Sequence, residues 1–197
     1  SITDRRFLKG MASQQTIAQA EGIATNQITV VKDEDYLHYS KTGTRKHFTA
    51  LRRKRLDDLS VLVLAECMEN RGRFLEKITE YVESYMVMHS WTDPAHDKKL
   101  NVFHGETEGV DLFAAENAML LSTTYSLLEE RLDENLKTMM RRNIKRRITD
   151  PYLAACRSGS IEGTYSFWWL TRDNNWNAVC NAGVIYTVSI MEGSKEI

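Results

Sequence analysis

The segment that decides the fold runs Trp168-Trp169-Leu170-Thr171-Arg172-Asp173-Asn174-Asn175-Trp176-Asn177-Ala178-Val179-Cys180-Asn181-Ala182-Gly183. Asparagines just before an apolar run are typical of a helix start, so the segment predicts a loop followed by a helix over residues 175–191. Its three tryptophans offer flat apolar area, and its four asparagines offer both hydrogen-bond donors and acceptors. Such a surface suits a charged sugar polymer.

Two interpretations of this segment are compatible. In the structural one, a tryptophan-rich loop docks onto a helix, and Asn174 or Asn175 is the N-cap. In the functional one, an asparagine side chain joins the outward-pointing N–H groups of the helix start, a position that favours an anion such as a carboxylate. One asparagine can cap the helix while its neighbour binds a ligand.

Composition and charge favour one helical domain over residues 1–197. The chain is 42% hydrophobic and 27% charged, and it has only two prolines and ten glycines, which favours long helices over many short strands. A formal net charge of −1 gives no global attraction for a polyanion, so we expect no nucleic-acid partner. No apolar run is long enough to span a membrane, and Cys67, Cys156 and Cys180 show no metal-type spacing. We therefore expect no membrane partner, metal or cofactor.

Hydrophobic periodicity predicts paired helices joined alternately by short and long loops. The predicted helices cover residues 3–21 (capped by Thr3 or Asp4), 45–69, 73–88, 111–130, 133–153 and 175–191, with long loops at 89–110 and 156–174. Residues 33–40 are predicted to form either a short helix or an irregular piece. Pro151 is expected to bend or end the helix it lies in. This antiparallel pairing fits part of a helical toroid, and it also fits a plain bundle.

The first long loop holds the sequence Ser90-Trp91-Thr92-Asp93-Pro94-Ala95-His96-Asp97, followed by Asn101-Val102-Phe103-His104-Gly105. Its two histidines are either merely exposed or functional. His96 is the better candidate, because the adjacent Asp97 would orient it or raise its pKa. The sequence is also compatible with a metal site formed by His96, His104 and Asp97, although the spacing of these residues is not diagnostic of one.

Two further segments favour structural roles. Asp111 precedes an apolar run and is predicted to cap a helix, in which Ala114, Ala115 and Ala118 would let another helix approach closely. The basic residues are Arg141, Arg142, Lys145, Arg146 and Arg147. They favour a solvated helix face, paired with residues such as Glu129, Glu130 and Glu134, over an anion site.

Four parts of the sequence together resemble the heparinase II/III-like family of polysaccharide lyases. They are Leu62-Val63-Leu64-Ala65-Glu66-Cys67-Met68-Glu69-Asn70-Arg71-Gly72-Arg73-Phe74; Trp91 to Asp97; Val110-Asp111-Leu112-Phe113-Ala114-Ala115; and Asp150-Pro151-Tyr152-Leu153 with the Trp168–Gly183 segment. They occur in the family's order. The resemblance implies the first half of an α/α toroid, whose remainder and a following β-sandwich domain lie outside this chain. It also implies a periplasmic or secreted protein.

The resemblance implies β-elimination on a uronic-acid polysaccharide of the glycosaminoglycan type. This reaction needs a group that neutralises the sugar carboxylate, a base, and an acid. Asn175, Asn174 and Asn177 occupy the family's position for the neutralising residue, although Trp176 stands where some relatives have histidine. Predicted substrate contacts are Trp169, Trp176, Arg172, His96 and Trp91.

The family's Tyr–His pair for proton transfer has no match before Ile197. The chain alone is therefore expected to be an inactive part of a lyase. The edge of such a half toroid, with Val179, Val184, Ile185 and Val188, is expected to lack packing and to favour association. The alternatives are a non-catalytic carbohydrate-binding helical domain and a purely structural one.

Overall fold

A computed structural model describes residues 13–158 and 165–192 of the chain. Within these ranges the regular structure is helical and no strand occurs, which confirms the all-α class. The toroidal arrangement stays a prediction. No helix in the described ranges is both long and apolar enough to cross a bilayer.

The helices, numbered in chain order, are α1 (Ser13–Ala24), α2 (Asp33–Thr42), α3 (Lys46–Glu69), α4 (Leu75–Met86), α5 (Leu112–Leu128), α6 (Glu134–Ile144), α7 (Asp150–Ser158) and α8 (Asn175–Met191). A π-helical segment, Lys145–Thr149, joins α6 to α7, and a 3₁₀ segment, Tyr165–Thr171, precedes α8. The predicted helices at 45–69, 73–88 and 175–191 are confirmed to within one or two residues at each end, and of the two alternatives for residues 33–40 the structure shows the helix. The helix predicted at 3–21 and its cap at Thr3 or Asp4 begin outside the described residues.

Of the two outcomes predicted for Pro151, an end of the helix is wrong, because the helix continues past the proline. A bend at this position stays a prediction. The π-helical segment shifts the hydrogen-bond register, and the Asp150 N–H donates to the Lys145 carbonyl. Pro151 then falls in the first turn of α7, where a missing N–H is tolerated, and the helix continues to Ser158. The predicted loop at 156–174 is likewise wrong in part, because Tyr165–Thr171 forms a 3₁₀ segment.

The core lies around α3, α4 and α5. The apolar stripe of α4 and its N-cap is buried, namely Phe74, Ile78, Tyr81, Val82 and Tyr85. The start of α4 is held by Glu66, a fully buried residue of α3 whose carboxylate accepts the N–H groups of Gly72 at 2.7 Å and Phe74 at 3.2 Å. The charge of Glu66 is matched by Arg131 at 3.3 Å. A buried carboxylate with these partners fixes the turn between the two helices.

Helices α5 and α8 pack closely, as the small residues of α5 predict. A Cβ atom added at Gly183 of α8 would lie 3.1 Å from both the Cβ and the carbonyl oxygen of Ala115. Val184 and Val188 of α8 are buried, so the expectation that they lack packing is wrong. Val179 and Ile185 are 50% and 48% exposed, as expected for residues on the outer side of α8.

We expect Gly183→Leu to destabilise the fold by about 1–3 kcal/mol, since a larger side chain must push α8 away from Ala115. Urea unfolding followed by circular dichroism measures this loss. Gly22→Leu is the matched control, because Gly22 also lies in a helix but a Cβ there meets nothing within 4 Å. Equal stability of the two variants would contradict the close approach of α5 and α8.

Candidate functional site

A cavity of about 340 Å³ lies between the 89–110 loop and the start of α8. Its polar and aromatic wall residues include His96, Lys98, Lys99, Asp111, Trp168 and Trp176. The fold thus brings together the two segments that the sequence singled out. A concave site with aromatic faces and a few convergent polar groups is the usual form of a small-ligand or sugar site.

His96 is oriented by Asp111. The Nδ1 atom of His96 lies 2.6 Å from Oδ2 of Asp111, and the imidazole packs edge-on against Trp176 with 4.6 Å between ring centroids. Because an ionised carboxylate only accepts hydrogen bonds, Nδ1 carries the proton in this pair. Nε2 is then the ring atom left for a ligand in the cavity.

Asp111 also holds the local backbone. Its Oδ1 accepts the Ala114 N–H at 2.8 Å, which confirms the predicted cap of α5. Its Oδ2 accepts the Asp93 N–H at 2.8 Å and thereby ties the long loop to the helix start. Sequence reasoning found the cap but missed the contact with His96, which joins residues 15 positions apart.

The prediction that Asp97 orients His96 is wrong. The Asp97 carboxylate is buried and accepts from the Tyr36 hydroxyl at 3.0 Å and from the N–H groups of Val102 at 3.1 Å and Phe103 at 2.9 Å. Burial raises the pKa of Tyr36 far above its usual value, so its hydroxyl stays a donor. Asp97 therefore shapes the loop that forms one wall of the cavity.

The three asparagines have different surroundings. Asn174 is the N-cap of α8, since its Oδ1 accepts the Asn177 N–H at 3.2 Å. The amide of Asn177 donates to the carbonyls of Trp169 at 3.1 Å and Leu170 at 2.9 Å, and so fixes the preceding 3₁₀ segment. Asn175 is exposed, and its side chain makes no hydrogen bond within the described part of the chain. Asn175 is therefore the one of the three whose whole amide is without a hydrogen bond in the described structure, while Asn174 uses only its oxygen. None of the three is among the residues that line the cavity itself.

Two of the predicted sugar contacts do not fit the structure. Trp169 is fully buried and donates its indole N–H to the Val110 carbonyl at 2.8 Å. Trp91 is 2% exposed and donates to the Tyr85 carbonyl at 2.9 Å. Neither ring has a face open to a ligand, because both fill the core beneath the cavity.

The aromatic surface of the cavity is formed by Trp176, as predicted, and by Trp168, which the prediction missed. Their ring centroids are 5.1 Å apart, and Trp168 is 37% exposed. The 3₁₀ segment turns the adjacent Trp168 and Trp169 in different directions, one outward and one inward. Arg172 is exposed but is not among the residues that line this cavity.

Positive charge at the cavity comes from Lys98 and Lys99, which sequence reasoning also missed. The two lysines directly follow His96 and Asp97 in the sequence. This basic pair beside a candidate histidine could have indicated an anion-binding site. His104 lies against a different cavity, and the described residues contain no cluster of histidine, cysteine or carboxylate side chains suited to a metal ion.

Compared with models of known protein families and with curated proteins, the sequence has no significant match.

Proposed function

We propose that this chain forms part of a polysaccharide lyase that cleaves uronic-acid polysaccharide by β-elimination, and that the His96–Trp176 cavity binds an acidic sugar. The observation that supports this most directly is the cavity itself. It combines two aromatic rings, an oriented imidazole and two lysines beside the Asn174–Asn177 segment. Together with the sequence resemblance, this combination favours a charged sugar over an apolar ligand.

The chemistry assigns a role to each group. Removal of the C5 proton places charge on the neighbouring carboxylate, so a preorganised donor at that carboxylate lowers the barrier. Asn175 supplies a neutral amide at the positive end of the α8 dipole. Lys98 and Lys99 attract the anionic polymer, and Trp176 and Trp168 support sugar rings.

His96 contributes a hydrogen bond to the sugar. With its Nδ1 proton held by Asp111, Nε2 accepts a hydrogen bond from a sugar hydroxyl. Asp111 positions this ring and does not itself contact substrate in this proposal.

A non-catalytic carbohydrate-binding domain is the second candidate. It is favoured by the absence of a tyrosine from the described residues that line the cavity, because the family's proton transfer uses a Tyr–His pair. Both candidates share the same binding site, so direct binding is tested first and turnover second.

We expect acidic oligosaccharides of heparin, heparan sulfate or alginate to quench tryptophan fluorescence saturably. Trp176→Ala should weaken this binding by roughly threefold to tenfold, since it removes an aromatic face from the cavity. Arg53→Ala is the control on a distant exposed helix position, and a neutral maltooligosaccharide is the control ligand. Equal binding by the Trp176 variant, or no binding by any acidic oligosaccharide, would contradict the proposed site.

We expect the 197-residue chain by itself to produce no unsaturated sugar from the same polymers. The reason is that no tyrosine is among the described residues that line the cavity, whereas the family's proton transfer uses a Tyr–His pair. Product unsaturation absorbs in the near ultraviolet, so absorbance over time is the measurement. A steady rise in absorbance would show that other residues carry out the proton transfer.

A further inference from the structure

We propose that a second cavity binds the phosphate or sulfate ester group of an organic molecule. It has a volume of about 410 Å³ and lies between the end of α4, residues 103–105 and the junction of α6 with the π-helical segment. This proposal does not depend on lyase chemistry, because the cavity shares no lining residue with the His96–Trp176 site.

The cavity is lined by more cations than its surroundings neutralise. Arg142 and Arg146 lie four positions apart, and both side chains line it, together with His89 and His104. Arg142 makes no ion pair within the described part of the chain, whereas Arg146 pairs with Glu108. Unpaired guanidinium groups at a concave surface are a standard way to bind phosphate-like anions.

Arg147 also lines the cavity, and its hydrogen bonds fix the shape of this wall. Its guanidinium is buried and donates to the carbonyls of His89 at 2.9 Å and Met88 at 2.5 Å. Burial, and then the neighbouring charge of Arg146, lower the pKa of Arg147 to about 10, so it stays charged at neutral pH. The end of α4 is thereby held against the π-helical segment.

The surrounding carboxylates only partly offset these charges. Glu108 pairs with Arg146, and burial raises the pKa of Glu108. Asp33 lies 3.5 Å from His89, but both side chains are largely exposed, so this pair is weak. The glutamates that the sequence suggested as partners do not neutralise the arginines of the cavity. Within the described residues, Glu129 pairs with Arg141 at 3.5 Å, and no ion pair joins Arg142 or Arg146 to these glutamates.

Part of the remaining cavity wall is apolar, although Asn143 also lines it. Phe103 and Met139 line it, and Val87 beside them is 77% exposed. A ligand that suits both parts has an apolar body and an anionic head. A tetrahedral ester group fits better than a carboxylate. Its three free oxygens can bind two arginines and an imidazole together, whereas a single guanidinium group can already satisfy both oxygens of a carboxylate.

Calorimetric titration of the full chain with phenyl phosphate and phenyl sulfate tests the proposal, with benzoate as the planar comparison. We expect saturable binding of at least one ester that weakens with added salt. Arg142→Ala and Arg146→Ala should each weaken it roughly tenfold or more, the usual effect of losing a charged hydrogen bond. Arg141→Ala is the matched control, because Arg141 is the neighbouring residue of α6 but does not line the cavity.

Glu108→Gln gives a test in the opposite direction. It removes the carboxylate that competes for Arg146, so it should strengthen ester binding severalfold, a gain that a damaged fold would not produce. The ester that binds more tightly identifies the preferred head group as phosphate or sulfate. Binding of neither ester, equal loss in Arg141→Ala, or benzoate binding as tightly as the esters would overturn the proposal.

Discussion

Asn175→Ala is expected to lower kcat roughly 10²–10³-fold in an active lyase that contains this chain, with a much smaller change in KM. The amide of Asn175 is exposed and makes no hydrogen bond within the described residues, so it is free to meet a carboxylate. The benefit of that bond grows as charge moves onto the carboxylate in the transition state, which is why kcat changes more than KM. Steady-state kinetics by near-ultraviolet absorbance measures both constants.

The neighbouring asparagines provide the controls. Asn174→Ala removes the N-cap of α8 and should cost about 1 kcal/mol of stability, while turnover of the folded protein is retained. Asn177→Ala removes two hydrogen bonds to the 3₁₀ segment and should cost about 1–3 kcal/mol. Melting temperatures measured beside the kinetics separate these effects. If Asn177→Ala were the inactive variant and Asn175→Ala kept its turnover, the proposed assignment within the segment would be wrong.

The helices were predictable because each carries local signals. Asp111 and the asparagines before α8 are caps, and the stripe from Phe74 to Tyr85 has a helical period. Pro151 does not end its helix, one of its two predicted effects, because a change of hydrogen-bond register that begins six residues earlier, at Lys145, accommodates the proline. A single sequence does not reveal such a register shift, since it depends on how α6 and α7 pack on their neighbours.

The site was predictable only in part, because its key contacts are not between sequence neighbours. The segments around His96 and Trp176 were identified from their composition, and the fold brings them together. The partner of His96 was predicted to be the adjacent Asp97, whereas turns in the loop send Asp97 inward and bring Asp111 to the imidazole. Trp168 and Trp169 are adjacent residues of the same type, so the sequence does not distinguish them. The geometry of the 3₁₀ segment decides which of the two is exposed.

Asp111→Ala is expected to destabilise the fold by about 3 kcal/mol, well beyond the loss of an ordinary helix cap. The variant leaves three donors without their acceptor, namely the N–H groups of Asp93 and Ala114 and the Nδ1–H of His96. Because Asp111 is buried, water cannot readily replace the carboxylate. Urea unfolding of the purified chain measures the loss.

Asp133→Ala is the matched control for Asp111→Ala. Asp133 caps α6 by accepting the Asn135 N–H at 2.8 Å, but it is exposed and has no second role in the described structure, so its loss should cost only about 1 kcal/mol. Asp111→Asn should fall between the two, since its carbonyl oxygen can still cap α5, while the NH2 group in place of Oδ2 can accept from neither Asp93 nor His96. If Asp111→Ala cost no more than Asp133→Ala, Asp111 would act only as a cap. The proposed orientation of His96 in the cavity would then lose its support.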